Sequence, residues 1–390
     1  MANATDLFGF HAGHQKHLDY KERVNRGGYY TPDEIVEIGR ALVKNHIKKD
    51  SFILDNACGY GSFLSQWGTC TVIGCDSDAV AVQMAQKYHR HVSFFHRNAL
   101  QRVDRKTFHI PEDANLVIVG NPPYNDRTSL IRRRIKQAAF EIDDDLRCRD
   151  LGMSFLLAYN KLRADIVCVL HPLSYIIKKA NFQSIKEFMR NYRLMDGRIV
   201  SSACFAEASK TTHFPIIIAL YKRHAEGMTY EDIKNFVFKI QGGGTLCLNR
   251  YEFIDQYIDK YPKKKKCLGK NPLFFWTMRD INALKRNKTF VKKYSHNAVV
   301  IDKNKLNYYI YVDVFKRNLS RIPYYFGNCD VMIQNNLYSR YRGYFLSDAL
   351  QHHPYLKSHL SQYRLPDANK QKINEYFFAL LGECHASTYT

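Results

Sequence analysis

The sequence contains no C-x-x-C pair; its ten cysteines are scattered singly, and Cys75 and Cys168 sit inside apolar runs. That pattern excludes a zinc ribbon and a disulfide framework, and it reads as reduced thiols acting as small hydrophobes. No apolar run approaches the ~18 residues of a membrane span, and the opening Met1-Ala2-Asn3-Ala4-Thr5-Asp6 is not a signal peptide. A cytoplasmic protein is expected. Acid is scarce: 37 Asp+Glu stand against 58 Lys+Arg in 390 residues, a formal net charge of +21. A chain this basic is expected to meet a polyanion, nucleic acid first. No basic amphipathic helix with a clear apolar face argues for a membrane. No internal repeat is evident, and the one low-complexity tract is Lys263-Lys264-Lys265-Lys266. His11, His14 and His17 have no cysteine or carboxylate cluster beside them, so no metal site is expected.

What is present centres on Val117-Ile118-Val119-Gly120-Asn121-Pro122-Pro123-Tyr124. An apolar run, read as a buried strand, ends in an amide, two prolines and an aromatic ring. Proline fixes φ and donates no hydrogen bond, so the loop is stiff and its carbonyls are free to accept. Amide oxygen, carbonyl and aromatic plane side by side suit a flat amino-bearing ring such as adenine. An ordinary Asn-Pro turn is the plainer reading of the same residues.

The preceding chain supplies context. Thr31-Pro32-Asp33-Glu34 has the pattern of a capping box, and Ile35, Ile38, Leu42 and Val43 follow at helical spacing, predicting a helix over 32–48. Phe52-Ile53-Leu54-Asp55 reads as a first strand, followed by a Gly59-x-Gly61 turn that brings a ligand against bare backbone. The third glycine of the dinucleotide fingerprint is missing, which argues against NAD. A carboxylate at Asp55 would repel a pyrophosphate and suits a ligand with an ammonium group. Thr71 to Asp76 is a second strand; Asp76 lies 21 residues after Asp55, where an acid can hydrogen-bond ribose hydroxyls. Asp76 and Asp78 have a second reading, as caps of the next helix. Val92–Phe95 is a third strand leading to Asn98, an amide able to pair with an adenine edge. Leu116–Gly120 is the fourth, Asp165–His171 a fifth, and Arg198–Ala203 and Phe214–Tyr221 a sixth and seventh, the last pair antiparallel. Helices are predicted near Gly152–Arg163 and Phe182–Tyr192. Between the fourth strand and the first of these helices, Arg127, Arg132, Arg133, Arg134 and Lys136 mark a polar insertion that reads equally as a solvated helix or as phosphate contacts. The alternation predicts an α/β, doubly wound, mostly parallel seven-stranded sheet with an antiparallel last strand.

After Lys222 the pattern changes. Residues 225–390 carry 26 Lys+Arg and 14 Asp+Glu, against 32 and 23 in the first 224. This tail interleaves charge with aromatics, as in Lys292-Lys293-Tyr294 and Arg340-Tyr341-Arg342-Gly343-Tyr344. Such pairings can bind phosphates and stack on bases, although most of these rings are expected in a core. The boundaries that follow are an N-terminal arm, 1–27; a catalytic domain, 28–224; and a C-terminal α+β domain, 225–390.

Taken together and in this order, the motifs resemble those of S-adenosylmethionine-dependent methyltransferases that modify DNA adenine at N6. The resemblance covers residues 28–222. It implies that Tyr30, Thr31, Asp55, Ala57, Gly59, Gly61, Asp76, Ser77, Asn98, Ala99 and Asn121 bind the cofactor, with S-adenosylhomocysteine as product. Asn98 stands where the family usually has Asp. Asn121, Pro122, Pro123 and Tyr124 match the catalytic motif, and Phe205 falls where many members place an aromatic against the flipped base. The motif order is similar to the γ arrangement, which implies a C-terminal target-recognition domain, with Lys263, Lys264, Lys265 and Lys266 as candidate phosphate contacts. Double-stranded DNA is the implied partner, acted on by a monomer paired with a separate restriction endonuclease. An RNA adenine-N6 or protein glutamine methyltransferase shares the chemistry; an inactive nucleic-acid-binding relative shares the fold. No Pro-Cys nucleophile is present for cytosine-C5 chemistry, and no spaced-acid-plus-Lys pattern marks a fused nuclease.

Overall fold

The computed structural model describes residues 31–124, 141–205, 213–263 and 271–382. Tyr30, the arm 1–27 with its three histidines, the basic insertion from Arg127 to Lys136, and Lys264, Lys265 and Lys266 lie outside the described residues. The chain divides into two compact units, Met1–Thr245 and Leu246–Thr390.

The first unit is built on a nine-stranded sheet of order β3-β2-β1-β4-β5-β7-β6-β8-β9. Its strands are β1 Phe52–Asp55, β2 Thr71–Asp76, β3 Ser93–His96, β4 Leu116–Gly120, β5 Ile166–Pro172, β6 Tyr192–Ser201, β7 Pro215–Arg223, β8 Phe238–Ile240 and β9 Thr245–Leu246. Strands β3, β2, β1, β4 and β5 run parallel; β7 is antiparallel to both β5 and β6. Every residue of β4 is buried, as are all of β5 except Pro172. That explains their unbroken apolar runs: a central parallel strand is covered on both faces. β3, at the sheet edge, has no fully buried residue.

Helix α1, Asp33–Val43, buries Ile35, Val36, Gly39 and Val43. Its buried aliphatic residues join Ile53, Phe63, Leu64, Val117, Val119, Leu170 and Ile218 in one apolar cluster. Each fully buried aliphatic side chain of this kind contributes about 1.5–3 kcal/mol. Helix α2, Ala79–Tyr88, is capped by Asp78, whose carboxylate accepts from Val80 N at 2.9 Å and Ala81 N at 3.3 Å. Helix α3, Leu151–Lys161, leads into β5, and the short α4, Ser174–Ile177, follows it.

Several sequence expectations are corrected. Thr31 is not a cap: α1 begins after Pro32 with no side-chain cap bond, and the Thr31 hydroxyl is used elsewhere. α1 stops at Val43, continuing only as a 3-10 turn, Lys44–His46. The helix expected over Phe182–Tyr192 is two segments, Lys179–Ser184 and Lys186–Asn191, separated at Ile185. Phe182, Ile185, Phe188 and Met189 are all buried, so helical spacing persists across the break and hides it. Among the described residues the sheet has nine strands where seven were expected. β8 and β9 are three and two residues long, too short to display a period.

The second unit carries two small sheets, β10 Glu252–Phe253 with β14 Met332–Ile333, and β12-β11-β13 from Phe290–Val291, Phe274–Trp276 and Ala298–Val300. Helices α5 Leu306–Arg317, α6 Asn335–His352 and α7 Lys370–Leu381 pack in sequence order. Tyr311, Tyr338, Phe345 and Tyr376 form their buried aromatic core, with Tyr311 stacked on Phe345 at 5.5 Å. The buried hydroxyls find partners: Tyr311 donates to Met332 O and Tyr338 to Asn307 O. Among the described residues no helix is long and apolar enough to cross a membrane.

Candidate active site

The strand order reverses between β1 and β4, and in open α/β sheets the crevice beyond such a reversal is where ligands bind. β1 ends there in Asp55, β2 in Asp76, and β4 in Gly120 followed by Asn121. Gly120 has φ +141°, and a Cβ placed on it would lie 2.6 Å from Asp55 Oδ1. Only glycine lets β4 turn out beside the carboxylate. Asp55 is buried and accepts from Ala57 N at 3.2 Å. Burial above all, with the nearby Asp76 charge, pushes its carboxyl up from 3.8 to about 8, against the pull of the Ala57 N–H.

The loop from Asn56 to Phe63 is tied to β2. Cys58 N donates to Cys75 O at 2.9 Å, and Gly59 N donates to Asp76 Oδ2 at 2.8 Å. Asp76 Oδ1 accepts from Asp78 N at 2.9 Å, and burial raises this carboxyl too. Asp76 therefore braces the loop, while Asp78 takes the capping role. Gly59 and Gly61 have φ of +53° and +90°, and a Cβ on Gly61 would strike the His89 ring at 2.8 Å. Ser77 O lies 3.2 Å from His96 Nε2. A buried carboxyl group, Asp55, and a half-buried one, Asp76, beside bare backbone disfavour an anionic ligand and fit a cationic, hydroxyl-bearing one. The acceptor set thus fits the ammonium and ribose of S-adenosylmethionine.

Asn121 donates through Nδ2 to Thr31 Oγ1 at 3.0 Å, across 90 residues of sequence. Its Oδ1 is buried and accepts no hydrogen bond from the described residues. Leaving a buried acceptor unpaired costs about 1–3 kcal/mol, so the arrangement holds an oxygen ready for an incoming N–H. Pro122 is buried; Pro123 and Tyr124 are half-buried. Tyr124 and Phe214 pack against the apolar cluster that contains Phe205, which is buried.

Other expected residues stand apart. Asn98 donates to Glu141 O at 2.6 Å and accepts from Leu100 N at 3.0 Å, so both ends of its amide already hold the loop after β3. It lines a polar cleft with Arg97, Gln101, Arg102, Glu141 and Asp143, while Ala99 is buried. Lys263 is exposed and pairs with Asp259 at 3.0 Å. Among the described residues no cluster of His, Cys, Asp and Glu could hold a metal ion, and all eight described cysteines are free thiols.

Sequence reading missed Gly120 and Asn56. Asn56 is buried, and its Nδ2 has no hydrogen-bond partner among the described residues. A polar residue directly after a buried strand acid was the available signal. It also missed His171, which is buried at the end of β5 and hydrogen-bonds Tyr221 Oη at 2.8 Å and Pro172 O at 3.0 Å. Burial lowers its imidazole to about 4, so it is neutral near pH 7.

Comparison with known proteins matches residues 16–181 to the N-6 DNA methylase family. Comparison with curated protein sequences gives no match. Among solved structures, a protein described as a modification subunit of a type I restriction enzyme from Vibrio vulnificus YJ016 aligns with TM-score 0.40 and 17% identity, over 56% of this chain and 49% of that one. A protein described as a class I S-adenosylmethionine-dependent methyltransferase from Listeria monocytogenes aligns with TM-score 0.39 and 17% identity, over 55% and 65%. A dimethyladenosine transferase from Plasmodium falciparum gives 0.33 and 14%, over 50% and 62%. The chain thus spans between half and two thirds of the length of these structures, and at such scores they carry no argument about function. The family match falls on the segment that holds Asp55, the glycine loop, Asp76 and Asn121–Tyr124: over residues 16–181 this chain resembles the N-6 DNA methylases, as its motifs imply.

Proposed function

We propose that the chain transfers a methyl group from S-adenosylmethionine to N6 of an adenine swung out of duplex DNA, as the modification component of a restriction–modification system. The observation that carries this is the buried Asn121 Oδ1 at the sheet's switch point, left without a hydrogen-bond donor among the described residues. Asp55 would meet the ammonium of the cofactor, Asp76 the ribose, and the backbone at Ala57, Gly59 and Gly61 the remainder. When bound, the cofactor supplies an electrophilic sulfonium methyl.

The protein's own contribution is positioning and electrostatics. N6 inside a duplex is out of reach, so the base must leave the stack at a cost of a few kcal/mol. Tyr124 stacks on its face, with Phe205 behind the same apolar wall. Asn121 Oδ1 and the Pro122 carbonyl accept the two N6 hydrogens. This draws the nitrogen lone pair out of ring conjugation and aims it into the crevice. The Thr31 hydroxyl holds Asn121 Nδ2 and so fixes which end of the amide faces the base. The basic region beyond residue 225 is the proposed target-recognition domain. In the second unit, α6 exposes Asn336, Ser339, Arg340 and Arg342, groups able to contact bases and phosphates.

Asn121→Ala tests the assignment. It should lower kcat at least a hundredfold while S-adenosylhomocysteine binding, read by calorimetry, stays within a few-fold. Unchanged turnover would remove Asn121 from the chemistry.

A further inference from the structure

Glycine at position 152, in the first turn of α3, needs explaining. Its φ is not positive, so backbone conformation does not demand it, and glycine in a helix costs roughly 1 kcal/mol relative to alanine. Space is the reason. A Cβ on Gly152 would lie 2.7 Å from Tyr175 Oη, 3.0 Å from Tyr175 Cε2 and 3.3 Å from Tyr124 Cβ. The start of α3 is thus pressed between the two tyrosines.

Tyr175 is itself held from several sides. Its hydroxyl donates to Asp150 Oδ1, the same oxygen that caps α3 by accepting from Gly152 N at 3.1 Å. Its ring lies parallel to the His171 ring, 5.4 Å between centroids and 9° between planes. His171 in turn bonds the Tyr221 hydroxyl on β7. Asp150, Tyr175, His171 and Tyr221 therefore form a continuous support running from the cap of α3 through β5 to β7.

Resting on the function proposed above, we propose that Tyr175 and Gly152 are positioning residues that fix the seat of Tyr124, so that its ring meets the target base at a set height and tilt. The catalytic loop is stiffened by its prolines but needs a floor. Gly152 lets that floor come close, and the Tyr175–Asp150 bond keeps it from shifting. A displacement of about 1 Å at such a site costs on the order of a hundredfold in rate.

The test uses the full chain. Gly152→Ala and Tyr175→Phe are each titrated with S-adenosylhomocysteine to count binding sites. Methyl transfer to unmethylated duplex DNA is then measured per binding site. Gly152→Ala should lose ten- to a hundredfold in kcat and Tyr175→Phe several-fold, with cofactor affinity and KM for DNA within twofold of wild type. If Gly152→Ala does not fold, Tyr175→Phe decides. Turnover within twofold in a folded Gly152→Ala or Tyr175→Phe protein overturns the proposal. So does a parallel fall in kcat and cofactor affinity, which marks general disruption. A wild-type protein that methylates no DNA overturns the underlying function instead.

Discussion

Asp55 sets the pH behaviour of the site. Its carboxyl is raised from 3.8 to about 8 in the folded chain, chiefly by burial. Between those values the folded state binds a proton that the unfolded state has released, so stability falls as pH rises from about 4 to about 8. Thermal melts of the unliganded protein should show that slope, and Asp55→Asn should flatten it. A ligand ammonium favours the ionised carboxylate, so binding expels the proton. Affinity for S-adenosylhomocysteine should rise from pH 6 to pH 8, at most about tenfold per unit, and calorimetry in buffers of different ionisation enthalpy should report proton release. In Asp55→Asn the affinity should be lower and its pH dependence weaker. Gly120 has the complementary constraint. Gly120→Ala forces a methyl onto the Asp55 carboxylate at a φ of +141°, and strain of this kind costs about 1–3 kcal/mol. Its urea midpoint should drop accordingly and cofactor affinity should fall with it.

At the scale of elements, the site depends on strands arriving in register. Arg105 shows how that is secured. Its guanidinium is buried and donates to the carbonyls of Pro111, Glu112, Ala114, Leu162 and Arg163. It thereby staples the approach to β4 to the turn between α3 and β5. Arg105→Met should destabilise the fold by on the order of 3 kcal/mol in urea unfolding, because those carbonyls are all deprived of a charged donor together. The strands themselves were legible in the sequence because β1, β2, β4 and β5 are apolar runs ended by Asp55, Asp76, Asn121 and His171-Pro172. What was not legible depends on distance in sequence. Thr31 reads as a cap because the sequence shows Glu34 three residues on, whereas its partner Asn121 is 90 residues away. Gly120 and Gly152 read as unremarkable until the packing shows which side chains press on them. Arg105 looks like one more surface cation among 58 basic residues.

For the whole molecule, charge and division of labour are the testable features. The surplus of cations runs through both units, and Lys263 is already paired with Asp259. Removing it alone should change little. Neutralising Lys263, Lys264, Lys265 and Lys266 together should reduce the slope of log affinity for DNA against log salt if the run touches phosphates, by about 0.9 for each phosphate left without its cation. An unaltered slope would mark the run as solvated surface. Arg340 on α6 pairs with no carboxylate among the described residues. Arg340→Ala should either relax the preferred methylation site or weaken binding uniformly, which separates a base contact from a phosphate contact. The most direct test of the central claim is label transfer. The protein is incubated with tritiated S-adenosylmethionine and, separately, with duplex DNA, structured RNA and protein, and the labelled product is digested and identified. The account predicts label in DNA as N6-methyldeoxyadenosine, abolished by Asn121→Ala. Label in RNA or protein with none in DNA, or label in DNA on any other base, would contradict it.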